Sequence, residues 1–417
     1  MLRVNDIYYT QEETKGLIEF GLKNITLWVY MAFALLAPAV MMATQHGNST
    51  ANTMMVITGA VGFIAFLAGV RDFQKQNLKI IFAFFVYFLM IAINKFIHGD
   101  SADTLRVIAV MTLIYVLVPN KKSVAMTFWL GTVVASIAMG ALSINEYMET
   151  KQRVYGFTNA ILFGQAALIL LTVNLVALHN THKIWLKLFV LLALAANLVA
   201  IYLSQTRGVW LALIVVSAFY FFHLLRKYAF RATILMLLTC FVAGVFLVKD
   251  EVFLERVNQG KRDLQLLSAE NYDSSWGLRV VAWKSAWLAF KEHPIIGVGS
   301  DNFAQVKKQQ YKDGLMPEVI VKRWLYHAHN QYLQNMMLRG IIGLVSLLIV
   351  LGVPLFVLGA QHSVLPFAYL LPLAIILCGL TDVPLEHRNV LFLYTYFTYG
   401  LVTIAWNKKD PEKRLNA

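Results

Sequence analysis

Residues 331–359, QYLQNMMLRGIIGLVSLLIVLGVPLFVLG, hold a single formal charge, Arg339, and this stretch decides the fold class. A helix crosses the hydrocarbon core of a bilayer with about 20 mostly apolar residues, so the run is long enough to span a membrane. Working outward, comparable runs fall at about 24–44, 53–70, 80–97, 106–119, 123–144, 158–178, 187–203, 209–225, 232–248, 365–381 and 389–406, giving twelve candidate spans. The composition agrees: the 417 residues are 59% apolar and 14% charged. Soluble domains run nearer half apolar and about a quarter charged. The expected class is therefore an all-α integral membrane protein with about 12 transmembrane helices. Disordered, collagen-like and disulfide-rich classes are excluded, since Cys240 and Cys378 both lie inside apolar runs and imply no disulfide. The first twenty residues carry Asp6, Glu12, Glu13 and Glu19 without an apolar core, so no cleavable signal peptide is expected.

The charge balance of 36 Lys+Arg against 23 Asp+Glu, a formal +13, is read first as a topology signal rather than as a nucleic-acid footprint. One set of alternating short loops and termini holds Arg3, Lys15, Lys23, Arg71, Lys75, Lys79, Lys121, Lys122, Lys183, Lys187, Arg226, Lys227, Arg231, Lys408, Lys409, Lys413 and Arg414, which is 17 cations. The opposite set holds five: Arg106, Lys151, Arg153, Arg207 and Arg388. Cytoplasmic loops collect cations, so both termini are expected in the cytoplasm. Twelve further cations lie in one long segment on the other face and nearly balance its ten carboxylates, so no nucleic-acid partner is implied. The chain thus divides into spans 1–9 over 1–248, a large outer loop over 249–330, and spans 10–12 with a short tail over 331–417.

Within the loop, Arg279, Trp283 and Trp287 fall at i, i+4 and i+8 and share a helical face, which Pro294 and the turn Gly297-Val298-Gly299 bring to an end. That glycine pair lacks the third glycine of a dinucleotide fingerprint and follows no strand, so it is not read as one. Charged groups at membrane depth are costly and mark candidate sites. Arg207 sits in the tight turn Ser204-Gln205-Thr206-Arg207-Gly208 at an outer mouth where topology alone gives no reason for a cation, and is a candidate anion ligand. Arg153 precedes Tyr155-Gly156-Phe157 in a similar position. His329-Asn330 opens the tenth span, and offsets of 11 and 14 place Gly340 and Gly343 on the same projected helix face as His329. The glycines would let another backbone come close and hold the histidine at the membrane boundary. Spacing leaves open whether His329 is a catalyst or a hydrogen-bonded fixture. Arg339 is expected to pair with a carboxylate or a carbonyl. The loop Asp382-Val383-Pro384-Leu385-Glu386-His387-Arg388 is read equally as a solvated turn or a site.

His327-Ala328-His329 has no Cys or carboxylate following at ligand spacing, so no metal is expected. An Asp-x-Asp pair, a Gly-x-Ser-x-Gly elbow and a phosphate-binding loop are all missing from the sequence. What remains is an outward site of one histidine and several arginines, suited to a phosphate ester and a proton to be moved.

These residues carry a resemblance. His329-Asn330, nine residues, Gly340, two residues and Gly343 resembles the histidine-to-glycine signature of the bacterial O-antigen ligases. Thr206-Arg207-Gly208-Val209-Trp210-Leu211 is similar to that family's arginine turn; Arg279, Trp283, Ala286, Pro294, Gly297, Gly299 and Phe303 are similar to its large-loop pattern. Arg153, Gly156 and Asn159 resemble the loop ahead of its middle spans. The twelve expected spans and the single large loop extend the resemblance over the whole chain, and its specificity comes from the order and topological side of the motifs together. Asp382 and Arg388 carry over by location only, and Arg339 has no clear counterpart.

The resemblance implies a C-type glycosyltransferase-like fold in a bacterial inner membrane, with the site facing the periplasm. It implies transfer of a preassembled glycan from undecaprenyl diphosphate to a sugar hydroxyl of the lipid A core, with inversion and without metal or other cofactor. His329 would be the catalytic base; Arg207, Arg279, Arg153, Asn330 and Arg388 would bind diphosphate or substrate; and Asp382 would orient the histidine. The alternatives are an O-antigen polymerase or a protein O-oligosaccharyltransferase of the same superfamily. A transporter of anionic lipids would instead need polar groups through the middle of several spans.

Overall fold

A computed structural model describes residues 11–71, 78–99, 101–323 and 325–409. Arg3, Lys75, Lys413 and Arg414, used above for orientation, lie outside the described residues. Every regular element among the described residues is helical. In chain order these are α1 (Gln11–Ala43), α2 (Gly47–Leu67), α3 (Leu78–His98), α4 (Asp103–Val116), α5 (Lys122–Thr150), α6 (Ala160–Asn180), α7 (Ile184–Leu203) and α8 (Arg207–Lys249). The large loop forms α9 (Glu251–Ser268), α10 (Ser275–Glu292), α11 (Phe303–Lys312) and α12 (Val319–Lys322), and the chain finishes with α13 (Gln331–Ala360), α14 (Leu370–Cys378) and α15 (Arg388–Lys409).

Eight of these helices are long and apolar enough to cross a membrane: α1, α2, α3, α5, α6, α7, the Arg207–Arg226 part of α8, and α13. The other expected runs are helical but differ in kind. The run 106–119 becomes the 14-residue α4, and 365–381 becomes turns followed by the nine-residue α14, about 13 Å long and too short to cross alone. Pro366 and Pro372 account for that interruption. The run 232–248 lies in the second half of α8. A straight 43-residue helix would extend about 64 Å. Yet Arg207 starts α8 directly after the 204–206 turn, while Asp250, just past its end, accepts a hydrogen bond from Tyr202, and Phe253 stacks on Trp210 with ring centroids 5.8 Å apart. Helix α8 therefore doubles back, at Tyr228, whose backbone is non-helical (φ −136°, ψ 45°).

Helix α6 is buried along nearly its whole length and forms the centre of the bundle. Asn174 of α6 and Asn197 of α7 both donate to Ser136 of α5, at 2.8 and 3.2 Å, joining three helices by the polar contacts that substitute for a hydrophobic driving force in lipid. Two prolines inside helices each deprive the carbonyl four residues earlier of its partner. Pro38 of α1 frees Ala34, whose oxygen accepts from the Tyr396 hydroxyl at 2.7 Å; Pro354 of α13 frees Val350, whose oxygen accepts from Tyr394 at 2.8 Å. Both tyrosines lie on α15. Its tyrosines and threonines lower its hydropathy, and two of their hydroxyls mend neighbouring backbones.

Helix α13 is broken at Gly340, where φ 62° and ψ −157° belong to a region open essentially to glycine alone. Ile341 N donates to Pro294 O at 2.8 Å instead of to Met337 O, which accepts from Val298 N at 2.9 Å. Leu338 O accepts from Gly299 N at 3.0 Å and from the Asn94 side chain of α3 at 3.0 Å. The Gly297-Val298-Gly299 turn is thus a backbone clasp between the large loop and the broken helix. A Cβ on Gly297 would collide with the Leu338–Arg339 peptide, and one on Gly340 with the Ile295 carbonyl. Close backbone approach at Gly340 is as expected, but the single projected helix face is not: His329 precedes the helix in a left-handed conformation, and the axis changes at Gly340.

Candidate active site

Four arginines converge on the 204–208 turn. Arg153 donates from Nε to Ser204 O at 2.8 Å and from Nη2 to Thr206 Oγ1 at 2.9 Å, and Thr206 Oγ1 donates to Ala160 O at the start of α6. Arg256 of α9 grips the Gln205 side-chain oxygen with two nitrogens, at 3.0 and 2.8 Å. Arg207 pairs through Nη2 with Asp263 of α9 at 2.8 Å. Gly208 packs so tightly on Thr381 that a Cβ there would collide, which brings this turn next to Asp382. Arg279 of α10 completes the group, lying within electrostatic range of Asp382, Arg207 and Asp263. Burial, and then the neighbouring guanidinium groups, hold Arg153 and Arg256 below the ordinary arginine value; burial does the same to Arg279, where Asp382 and Asp263 offset the push from Arg207. Arginine remains charged through such shifts. Nη1 of Arg207 and Nε of Arg279 are buried without a hydrogen-bond acceptor among the described residues. Positive charge and unfilled N–H donors in one place make a site for an anion.

His329 stands beside this cluster, with Nδ1 3.6 Å from Asp382 Oδ1, beyond hydrogen-bond length but within ion-pair range. Its φ of 50° is uncommon for a non-glycine residue, and Gln205 in the arginine turn shares the feature with φ 49°. Strain of this kind persists where surrounding contacts over-determine it. Asp382 is buried and accepts from Gln165 of α6 at 3.0 Å. Burial alone would raise its pKa, but the imidazoles of His329, His327 and His387 outweigh burial and hold it below the usual aspartate value. Burial, reinforced by His329, pushes His327 down to about 4, so it is neutral at ordinary pH.

The contacts that place Asp382 beside His329 come from the first turns of α13. Gln331 N donates to Gly379 O at 2.7 Å, its side-chain oxygen accepts from Leu385 N at 2.8 Å, and Tyr332 donates to Ile376 O at 2.9 Å. Asn330, expected to bind substrate, instead caps α13 by accepting from Tyr332 N and Leu333 N, and donates to Leu380 O at 3.2 Å. Arg339 pairs as expected, through two nitrogens, with Glu386 at 2.5 and 2.9 Å. Arg388 pairs with Asp103 and ties the start of α15 to α4. Of the expected residues, the structure therefore gathers His329, Asp382, Arg207, Arg279 and Arg153, and gives Asn330 and Arg388 other partners.

Sequence reasoning missed Arg256, Asp263 and Gln165, and named His387 only as a member of the 382–388 loop. Arg256 and Asp263 are seven residues apart and share a face of α9, but nothing local tells that face from an ordinary solvated one. His327, Asp382 and His387 bring one ligand atom each to within 4.8 Å of one another, so the carboxylate that spacing could not supply arrives through the fold. The donor types would suit zinc. Arg279 lies within electrostatic range of Asp382, and a fixed positive charge there opposes a divalent cation.

The stretch from α7 through the large loop to the Gly340 break holds most of this site. Residues 188–348 match the sequence profile of the O-antigen ligase family. The matched O-antigen ligase segment includes Arg207, Arg256, Arg279, His329, Gly340 and Gly343, and stops short of Asp382. A protein of Haemophilus influenzae described as uncharacterized is 27% identical over 321 residues, covering 73% of this chain and 79% of that protein. The apolar helices point to a multi-pass membrane protein, and residues 188–348 make that part of it similar to the O-antigen ligases.

Proposed function

We propose that this protein is an O-antigen ligase. In this reading it transfers a preassembled glycan from undecaprenyl diphosphate to a sugar hydroxyl of the lipid A core, with inversion and without metal. The carrying observation is the juxtaposition of His329 and buried Asp382 with arginines whose buried N–H donors lack acceptors among the described residues. The fold is of the C-type glycosyltransferase kind with twelve spans, counting the two arms of α8 and the short α4 and α14 with their flanking turns. Both termini are cytoplasmic and the site faces the periplasm of the inner membrane.

Arg207 and Arg279 hold the donor diphosphate and stabilise the charge that builds on it as the sugar–phosphate bond breaks. Arg153 and Arg256 keep the 204–208 turn in place and add to the positive field. His329 turns Nδ1 toward Asp382, which leaves Nε2 to take the proton of the acceptor hydroxyl as its oxygen attacks the anomeric carbon. Asp382 orients the imidazole and pairs with it once it is protonated. A positioned base contributes about 10² to 10⁴ in rate. The deciding experiment gives the purified protein lipid-linked glycan with lipid A core, or with a second glycan as acceptor. Product on the core alone supports the ligase; product only on the second glycan means a polymerase. His329→Ala should cut transfer by about 10²-fold or more in folded protein. Near-normal turnover would remove the base assignment. Arg279→Gln should weaken donor binding, and unchanged donor affinity would remove the diphosphate clamp.

A further inference from the structure

The end of the bundle opposite the histidine carries a second feature that the transfer reaction does not use. Helices α4 and α15 start together at the site end, where Asp103 pairs with Arg388, and both run away from it. Between their far ends and helices α1 and α5 lies an open cavity. Its walls include the aromatic rings of Tyr30, Phe33, Phe128 and Tyr396, and its lining includes Lys121 and Asn407.

Three of the four tyrosines that line this cavity bind their hydroxyls to neighbouring helices. Tyr30 donates to Ile114 O at 3.3 Å and Tyr396 to Ala34 O at 2.7 Å, while the Tyr399 hydroxyl is bonded to Thr112 at 2.7 Å. With hydroxyls directed into neighbouring helices, the walls offer ring and methyl surface, which suits hydrocarbon and gives water few partners. Gly400 is part of the construction, because a Cβ there would strike the Phe128 ring and drive it inward. Lys121 is exposed and Asn407 half-buried, which sets the polar groups toward the mouth. The same end carries Lys122, Lys183, Lys187 and Arg226 in its short connections. A cation at the mouth of an apolar slot complements a molecule with an anionic head and a single extended chain.

We propose that this cavity is a binding site for an anionic phospholipid, which places one acyl chain between the rings of α1, α5 and α15 and its phosphate at Lys121. The site is separate from the glycan-transfer chemistry, so its test does not depend on that reading. Native mass spectrometry of the full-length protein in detergent, titrated with phosphatidylglycerol or with phosphatidylcholine of the same chains, measures it. The wild type should retain one phosphatidylglycerol at about tenfold lower lipid concentration than phosphatidylcholine. Lys121→Gln, with its melting temperature in detergent compared with the wild type, should bring the two lipids to within about twofold. Ala125→Leu, which fills the lining, should lower retention of both. Glycerol phosphate, which supplies the head without the chain, should not displace the bound lipid. Equal retention of the two lipids by the wild type, undiminished preference in Lys121→Gln, or displacement by glycerol phosphate would each overturn the proposal.

Discussion

At Gly340, helix α13 surrenders its own hydrogen bonds and takes replacements from the backbone of the 294–299 loop and from Asn94 of α3. Fourteen residues further on, at Pro354, the same helix loses one N–H and is mended by a single phenol, Tyr394. The first repair joins three separated parts of the chain on the helix that follows His329; the second joins α13 to α15 and touches nothing chemical. A break at membrane depth is tolerated wherever its polar groups find partners in protein. What distinguishes the two is the identity of the partner. A backbone clasp transmits the position of the large loop, with Arg256 and Arg279, to the helix that carries the histidine, whereas one hydroxyl only restores stability.

The comparison breaks most sharply at Gly340→Ala. The methyl would meet the Ile295 carbonyl in a conformation that only glycine adopts readily, so folded yield and transfer should both collapse, at a cost above about 4 kcal/mol. Thermal unfolding in detergent and a transfer assay would show it; a stable, active Ala variant would mean the clasp is dispensable. Next in size is Glu386→Gln, which leaves the buried Arg339 guanidinium unmatched and should cost about 3–5 kcal/mol. Arg339→Met combined with Glu386→Leu should recover much of that stability while leaving transfer impaired, because the apolar pair no longer fixes the loop that holds Asp382. Full recovery of both would reduce the ion pair to a structural role.

Acid should act on the Gly340 side of the molecule first. His327 has a folded pKa of about 4 against 6.5 in a free imidazole, so between those values the unfolded chain binds more protons and stability falls as pH falls. Asp382 and Glu386 sit below their ordinary values, so the stability they contribute is present above those values and is lost as pH falls through the folded ones. Melting temperature followed from pH 7 to 4 should decline, and His327→Gln should flatten the upper part of that decline; identical profiles would show that His327 does not carry it. Smallest is Tyr394→Phe, which leaves the Val350 carbonyl without its donor and should cost about 1–3 kcal/mol with the transfer rate unchanged. A loss of activity there, at equal folded yield, would erase the distinction between the two repairs.

The parts of the site that are legible in the sequence are those whose physics is local. Arg207 is conspicuous because a tight turn on a cation-poor face needs no arginine, and His329 because two glycines follow it at helical spacing. Arg256 is not, since it sits on an amphipathic helix whose polar face looks like any solvated one until Gln205 accepts from it. Asn330 and Arg388 lie in suggestive loops, yet one caps a helix and the other pairs with Asp103. The projected face from His329 to Gly343 fails because helical periodicity assumes an unbroken axis, and the loop that breaks it comes from some forty residues earlier.

Apolar run length, composition and the side-to-side bias of cations determine by themselves that the chain is a helical bundle for a membrane, because transfer of each segment into lipid depends on that segment alone. They also single out a histidine and three arginines. Only the tertiary structure decides that Asp382 and His327 meet His329 and that His387 joins them, that α9 turns Arg256 and Asp263 onto the arginine turn, and that hydroxyls of α15 mend two proline-broken helices. Those are meetings between residues tens to hundreds of positions apart, and such a meeting depends on how helices pack rather than on what any one of them prefers.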